Sequence, residues 1–408
     1  MCSHSNNSNS TGVSGKYIKT IIILFCLGWA VIYADRTALY PMLSIIGKEF
    51  DLTNTQMGII TSSYFFAYVA VQIPVGVMGD RIGLKKVLVV FFLIAGLGMA
   101  LVGLMAASYL TLIAFVALHG IGAGGYYPTA YGITLSTVPK ERRGISSALI
   151  NVGMSLGLIL GLISSGPLFE AAQNWRFPFL TLAVPTILVG ICMQLFLKDT
   201  GSSSGTQTRF LEIIKDKNLM LLNLCNFCVI YGFWVALTWG PTFFVEERGL
   251  GLTLAGIFTA IPAISSIPFS LILARISDRI GRKKVTLAIL PISALMIFSM
   301  AYVKSTTTLI LVLLGYGTVG KLTFDPIFVS WYGDRVSATK PDLMGSALGL
   351  STFVGMSSAV VAPVVSGLIK DITGSLEGAF YLGSFIVLLG LVFAVQVGET
   401  VKIKQCID

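Results

Sequence analysis

Four charged side chains stand inside long apolar stretches of this chain: Asp35, Arg36, Lys321 and Asp325. A charge within an apolar membrane segment costs several kcal/mol unless it is paired or hydrated, so such residues mark functional sites. Two cations favour the binding of an anion, and the planar guanidinium of Arg36 fits a carboxylate or a phosphate with two parallel hydrogen bonds. The alternative is internal pairing, either of Asp35 with Lys321 or of Lys321 with Asp325 one helical turn away.

A second group of candidates consists of polar and aromatic side chains in the same apolar stretches. His119 stands at nearly the same depth as Arg36, and it can either donate a hydrogen bond to an anion or take up a proton. For all of these residues the alternative role is packing, internal hydrogen bonding or anchoring at the membrane interface. The remaining candidates are Tyr33, Tyr40, Tyr64, Tyr68, Tyr126, Asn151, Asn223, Asn226, Tyr231, Trp234 and Trp239.

The composition predicts the elements that carry these residues. Hydrophobic residues make up 55% of the 408 residues and charged residues only 12%, and the mean hydropathy is +0.84. A soluble protein carries about twice that share of charge, and a membrane-spanning helix needs about 20 apolar residues. The sequence therefore predicts an all-α membrane protein with twelve spans, at 18–46, 55–78, 87–107, 110–138, 144–166, 177–197, 218–245, 253–274, 285–303, 307–333, 343–369 and 376–397.

An internal repeat divides these spans into two halves. The stretch GDRIGLKK at 79–86 is repeated as SDRIGRKK at 277–284, and Gly58 and Gly256 stand at the same distance before the two copies. Such a repeat indicates a duplicated membrane bundle. We therefore expect six-helix bundles at 18–197 and 218–397, a cytoplasmic linker at 198–217, a disordered tail at 1–17 and a second tail at 398–408.

The distribution of basic residues predicts the orientation. Twenty-one lysines and arginines fall on the side of the two termini, against five on the opposite side. Cytoplasmic loops are rich in lysine and arginine, so both termini are expected in the cytoplasm and the protein in the cell membrane. The net charge of +9 is thereby explained by topology, and no nucleic-acid partner is implied.

No pattern for enzymatic or metal chemistry is present in the sequence. It contains no phosphate-binding lysine loop, no nucleophile elbow and no cluster with metal-ligand spacing. Cys225 and Cys228 have the CxxC spacing, but they lie inside a predicted span without histidine or further cysteine nearby. We expect no enzyme activity, no catalytic residue, no metal and no cofactor.

The doubled hairpin and the turn PKERRG at 139–144 resemble the major facilitator superfamily of transporters, over essentially the whole chain. Asp35-Arg36, the stretch 52–58 and the glycine-rich stretch 120–128 are similar to its anion:cation symporter branch. That branch moves organic acids and sugar acids, usually with protons. The resemblance implies two pseudo-symmetric six-helix bundles, with spans one, four, seven and ten around a central cavity. Arg36 and Lys321 would then meet near its middle.

One departure from that branch concerns the proton. Its members often carry a glutamate in span four where this chain has Ala123, and an arginine where it has Val116. Proton coupling would then rest on Asp35, His119 or Asp325. Asp35 is the first choice, because an anion bound to the neighbouring Arg36 would free Asp35 from its cation and favour its protonation.

The repeated hairpin has a predicted role in gating. The resemblance implies that Asp80 meets the start of span eleven near Gly345, where helix N–H groups favour a carboxylate. By the duplication, Asp278 would meet the start of span five near Gly144. Arg81, Arg143 and Arg279 would then pair across the cytoplasmic face. These contacts would form only while that side is closed; the alternative is that the charges only set the topology.

These observations together predict a monomeric secondary transporter in the lipid bilayer. It would move a small organic anion, such as a carboxylate, dicarboxylate or sugar acid, by alternating access with proton symport. One alternative is an anion exchanger, including organophosphate/phosphate exchange, because two cations serve a phosphate equally well. Another is a membrane sensor of the same fold that binds its ligand without transport.

Overall fold

The computed structural model describes residues 15–139, 142–199, 210–340 and 343–400, and these ranges are almost entirely helical. Twelve helical segments in the described part are long and apolar enough to cross a membrane, so the predicted all-α membrane fold is confirmed. The helices are α1 (Gly15–Glu49), α2 (Asn54–Ile82), α3 (Leu84–Met105), α4 (Tyr109–Gly124), α5 (Tyr126–Thr137), α6 (Arg143–Ala172), α7 (Arg176–Phe196), α8 (Phe210–Ile214), α9 (Lys217–Glu246), α10 (Leu252–Ile280), α11 (Arg282–Tyr302), α12 (Thr306–Val319), α13 (Lys321–Thr339), α14 (Met344–Thr373) and α15 (Glu377–Gln396).

The helices form two bundles, α1 to α7 and α9 to α15. Each bundle contains six spans, because α4 with α5 and α12 with α13 each cross once. An even number of spans places both ends of the chain on one side. We call this side the near side and the opposite side the far side.

Two predicted continuous spans are interrupted in the structure. The fourth span breaks at Gly125, where an added Cβ would lie 2.6 Å from the Phe91 side chain. The tenth breaks at Gly320, whose extended backbone separates α12 from α13. Broken helices are tolerated at membrane depth where the protein buries them or where they line a cavity. The second break makes Lys321 the first residue of α13.

The duplicated glycines mark the places where the bundles meet. A Cβ on Gly58 of α2 would lie 2.4 Å from the carbonyl oxygen of Pro363 on α14. A Cβ on Gly256 of α10 would lie 2.2 Å from the carbonyl oxygen of Leu162 on α6. Only glycine permits such close helix packing. The repeated glycine therefore gives each bundle the same kind of close contact with the other bundle. Both contacts lie in the far half of the protein.

A second duplicated contact, which we call the far-side latch, joins the bundles at their far ends. The Asp371 carboxylate on α14 accepts hydrogen bonds from the backbone N–H groups of Asn54 and Thr55, both at 2.8 Å. It also accepts from their side chains, at 2.7 and 2.5 Å. In the other pair, Glu170 on α6 accepts a 2.8 Å hydrogen bond from the Thr253 hydroxyl on α10. Each latch carboxylate thus binds the first turn of the other bundle's second span, where the helix dipole favours negative charge.

The near ends of the bundles lie apart. A Cβ on Gly76 of α2, or on Gly345 or Gly349 of α14, would meet nothing within 4 Å. Among the described residues, no hydrogen bond or ion pair joins the near halves of the two bundles. The structure is therefore closed on the far side and open on the near side.

The predicted contact of Asp278 belongs to the state in which the near side is closed, so this conformation does not test it. The Asp278 carboxylate, 60% exposed, lies 3.3 Å from Arg282 of its own bundle instead of meeting the start of α6. Arg143 likewise donates a local 3.0 Å hydrogen bond to the Val138 carbonyl. The physical reason is that the near ends are separated here. Arg81 and Arg279 are exposed, and the side chain of Asp80 lies outside what the structure describes.

We predict that Asp371→Asn weakens the far-side latch. Asparagine keeps one acceptor but loses the second acceptor and the charge, so the closed far side should lose about 1–2 kcal/mol. The distance between spin labels on cysteines replacing the exposed Lys48 and Lys304, one on each bundle, should then shift to longer values. A matched control is Glu247→Gln, because Glu247 binds Leu376 N–H at 2.6 Å within a single bundle. An unchanged distance distribution in Asp371→Asn would show that the latch does not hold the far side closed.

Candidate functional site

Arg36 lies on α1 at the boundary between the bundles, and its side chain is surrounded by aromatic rings. Its guanidinium carbon is 3.9 Å from the ring centre of Tyr33, 5.4 Å from that of Phe65 and 5.1 Å from that of Trp234 on α9. The residue is only 4% exposed. Nevertheless, Nε and Nη2 have no hydrogen-bond partner, and no carboxylate of the described residues lies within 4 Å of the guanidinium.

A cavity opens beside Arg36 inside the first bundle, between α1, α2, α3, α4 and α7. Several buried polar atoms of its wall have no partner: Nε and Nη2 of Arg36, Oδ1 of Asp35, the hydroxyls of Tyr40, Thr61 and Tyr64, and Nε2 of His119. Buried polar groups are normally hydrogen-bonded, so this wall concentrates donors and acceptors that the described part of the protein leaves free. The lining residues are Asp35, Arg36, Leu39, Tyr40, Thr61, Tyr64, Phe65, Met99, Val102, Val116, His119 and Phe179.

The structure does not pair Asp35 with Arg36, and this corrects the predicted interaction. Oδ2 of Asp35 accepts a 2.8 Å hydrogen bond from the hydroxyl of Thr186 on α7. Adjacent residues of a helix point about 100° apart, because one turn holds 3.6 residues. Asp35 therefore faces α7 and the interior of the first bundle, whereas Arg36 faces the rings at the boundary. Asp35 has no ion pair with Lys321 either.

The orientation of His119 follows from its contact with α3. Nδ1 lies 3.0 Å from the carbonyl oxygen of Ala95. A carbonyl can only accept, so Nδ1 carries the hydrogen, and Nε2 of the neutral ring is an acceptor. Gly98 on α3 permits this close approach, because a Cβ there would lie 2.5 Å from the His119 backbone nitrogen. The free Nε2 belongs to the wall of the cavity.

Lys321 and Asp325 form the ion pair that the sequence left open as an alternative. Nζ of Lys321 binds Oδ2 of Asp325 one turn further along α13. Nζ also lies 5.5 Å from the ring centre of Phe233 on α9. Both residues belong to the second bundle, outside the cavity beside Arg36.

The other predicted site residues separate into two groups. Tyr40 and Tyr64 line the cavity, while Tyr33 and Trp234 contact Arg36 beside it; Tyr68 stacks on Tyr64 at 5.9 Å.

The second group lies away from the cavity. Tyr126 is fully buried, and its hydroxyl donates a 2.6 Å hydrogen bond to the Phe25 carbonyl, so in this conformation it is a packing residue. Trp239 donates to the Pro363 carbonyl at 3.0 Å. The residues Asn223, Asn226 and Tyr231 lie along α9, and Asn151 accepts a hydrogen bond from Tyr131.

Two polar residues of the site were not predicted from the sequence: Thr186, which binds Asp35, and Thr61, which lines the cavity. Thr186 follows a proline in a span where threonine commonly bonds its own backbone, and nothing in its surroundings singles it out. Thr61 could have been found from the internal repeat, because it stands three residues after Gly58, and Thr259 stands three residues after Gly256. Thr259 lines the corresponding cavity of the second bundle.

That second cavity differs from the first in its chemistry. Its only polar lining residues are Thr259 and Tyr316, and it contains no charged side chain. The two bundles thus share a backbone plan, but the charges of the duplicated cavities are confined to the first. Within the described part of the chain, no group of three histidine, cysteine or acidic residues could hold a metal ion.

Comparison with known proteins agrees with this architecture. A probable sulfoacetate transporter, SauU, of Cupriavidus necator is 26% identical over 91% of each chain, and a hexuronate transporter of Bacillus subtilis is 26% identical over 90% of each. The crystal structure of a bacterial homolog of the human lysosomal transporter Spinster superposes with a TM-score of 0.75, at 16% identity over 94% of this chain and 95% of that one. The model of the Major Facilitator Superfamily matches residues 25–363, and the chain belongs to this family of membrane transporters.

Proposed function

We propose that the protein is a secondary active transporter that moves a small organic anion by alternating access, together with a proton. The observation that carries this proposal is the buried Arg36 guanidinium, which has two nitrogens without a partner beside a cavity. A buried cation without a counter-ion is costly, and a bound anion removes that cost. The names of the relatives, a sulfoacetate and a hexuronate transporter, support an organic acid as the cargo.

Arg36 is suited to hold a carboxylate. The ring of Tyr33, 3.9 Å away, covers one part of the guanidinium, and such stacking stabilises its charge and fixes its plane. The unpartnered Nε and Nη2 form one edge of the guanidinium fork, which matches the two oxygens of a carboxylate. The hydroxyls of Tyr40 and Tyr64 offer further donors to the same ligand.

His119 extends this proposal to hydroxylated acids. Because its Nδ1 is bound to Ala95, the free Nε2 of the neutral ring accepts a hydrogen bond. A hydroxyl of a sugar acid is a suitable donor, whereas a second carboxylate is not. His119 therefore favours an anion that also carries hydroxyl groups.

The orientation in the membrane belongs to the same proposal. Because the near side carries most of the lysines and arginines, we assign it to the cytoplasm. Both termini are then cytoplasmic, and the conformation described above faces inward. Transport requires the far-side latch to open while the near ends close, and Asp80 and Asp278 are the candidates for that second closure.

Asp35 is the proposed carrier of the proton. Its Oδ1 is buried without a partner in the cavity that Arg36 lines, and its Oδ2 is held by Thr186. An anion entering this cavity brings a second negative charge close to Asp35, and like charges in a poorly hydrated site favour a protonated carboxyl. Anion and proton would then bind together, without any ion pair between Asp35 and Arg36.

The first test is Arg36→Lys. Lysine keeps the charge but loses the planar fork, so affinity for the anion should fall by about tenfold or more, since charge-assisted hydrogen bonds contribute about 1.5–3 kcal/mol. Binding to the purified protein and uptake into proteoliposomes measure the effect. Arg176→Lys is the control, because Arg176 is also stacked on a ring, at 4.3 Å from Trp175, but is paired with Glu49 and does not line the cavity. Unchanged affinity and rate in Arg36→Lys would remove Arg36 from the site.

Asp35→Asn tests the coupling. The variant should lose accumulation driven by a pH gradient, because it has no carboxyl to protonate at this position. It should retain exchange of labelled for unlabelled anion, which needs no net proton movement. Retained pH-driven accumulation would show that Asp35 does not carry the proton, and His119 or Asp325 would then be the proposed carrier. If wild-type uptake depended on preloaded internal anion and ignored the pH gradient, the protein would be an exchanger.

His119→Asn separates binding from packing. The asparagine amide can still donate to the Ala95 carbonyl, so the melting temperature should stay close to that of the wild type. Affinity for a hydroxylated acid such as gluconate should fall several-fold, since a neutral hydrogen bond contributes about 0.5–1.5 kcal/mol. A lower melting temperature with unchanged affinity would show that His119 only packs α4 against α3.

A further inference from the structure

We infer that the transported anion carries two acid groups, and that Lys321 binds the second group in place of Asp325. This inference rests on the proposed function and concerns the part of the ligand that Arg36 does not hold. It assigns the ion pair of α13 as an exchangeable part of the binding site.

Lys321 and Arg36 contact two neighbouring rings of α9. Arg36 lies 5.1 Å from the ring centre of Trp234, and Lys321 lies 5.5 Å from that of Phe233. These two ring centres are only 5.2 Å apart. The two cations therefore lie against adjacent residues of α9, Arg36 from the first bundle and Lys321 from the second. Two cations beside one pair of rings provide for two anionic groups.

One of these two rings also carries a hydrogen-bond donor. The indole Nε1 of Trp234 is buried and has no partner in the described part of the chain. It belongs to the ring that Arg36 contacts. A ligand that reaches from Arg36 to Lys321 passes this donor, which can bind an oxygen in the middle of the ligand.

The pairing of Lys321 with Asp325 has no evident structural use. Other lysine and arginine pairs tie different helices together: Lys370 on α14 binds Glu246 on α9, and Arg176 on α7 binds Glu49 on α1 at 2.9 Å. Lys321 and Asp325 stand one turn apart on α13, so their pair joins no second helix. Charges retained inside a membrane span without a structural role indicate a functional one.

Asp325 can leave Lys321 at little cost. Its side chain is 35% exposed, whereas that of Lys321 is 14% exposed. Within the described ranges, Asp325 has no other side-chain hydrogen bond that would hold it in place. When an acid group of the ligand takes its position, Lys321 keeps a negative partner and the released Asp325 can be hydrated from the open near side. Exchange of one carboxylate for another avoids the cost of an unpaired buried cation.

This arrangement also connects the two bundles. Arg36 belongs to the first bundle and Lys321 to the second, so an anion with two acid groups contacts both, whereas one with a single acid group contacts only the first. Occupancy by the two-acid ligand would therefore draw the bundles together. That movement is the one that closes the near side.

The test compares matched one-acid and two-acid ligands on the purified full-length protein. The pairs are gluconate with glucarate, threonate with tartrate, and acetate with sulfoacetate. For at least one pair, the wild type should bind the two-acid member about tenfold or more tightly than its partner, the effect of one added charge-assisted contact. The double variant Lys321→Ala with Asp325→Ala removes both charges and should bind the two members equally, with the affinity of the wild type for the one-acid member.

Two further variants keep the result interpretable. Lys370→Ala with Glu246→Ala removes another lysine–carboxylate pair, at the far end, and should keep the wild-type preference. Lys321→Gln with Asp325→Asn preserves side-chain shape and replaces the alanine variant if that one fails to fold. A retained preference for two-acid ligands in either Lys321 variant would overturn the inference. Equal wild-type binding of both members of every pair would overturn it too and leave the proposed function standing. If none of the six ligands bound, the proposed function would fail and this inference with it.

Discussion

The buried guanidinium of Arg36 is the constraint on which the rest of the site depends. A positive charge held at 4% exposure without a carboxylate beside it is stable only if its surroundings compensate for lost water. The compensation here is partial: the rings of Tyr33, Phe65 and Trp234 stabilise the charge through their faces, but they leave two nitrogens without acceptors. A ligand that supplies acceptors completes the site. Family membership does not determine the cargo; under the proposed function, the chemistry of this site does.

The duplication supplies the symmetric framework, and the charges break its symmetry. Gly58 and Gly256 give the bundles equivalent close contacts, and Asp371 and Glu170 give them equivalent carboxylates on helix N-termini. These contacts join the bundles on the far side. The repeated hairpins lie on the near side, where we propose that they close the protein in the opposite state. The site itself is asymmetric, because only the first of the two duplicated cavities contains charge.

The sequence predicted those features that depend on apolar length and on repetition. Helical class, twelve spans and two halves follow from runs of about 20 apolar residues and from the repeated hairpin, and the pair of Lys321 with Asp325 was one of two alternatives open from the sequence. The partner of Asp35 was predicted wrongly, because adjacency in sequence is not adjacency on a helix. Thr186, its true partner, is 151 residues away on α7. The contact of Asp278 could not be predicted from sequence alone, because it depends on which side of the protein is closed.

The central claim is that this cavity binds an organic anion. Thermal unfolding of the purified wild-type protein tests it most directly. The ligands to compare are carboxylates, sugar acids, phosphate esters and the neutral sugars that match them. Binding to the folded state raises stability with ligand concentration, by about 2.7 kcal/mol at a hundredfold excess over the dissociation constant. The account predicts that at least one organic acid raises the melting temperature in a saturable manner and that its neutral counterpart does not. The account would be contradicted if neutral sugars raised the melting temperature as much as the acids do. It would also be contradicted if none of the anions raised it.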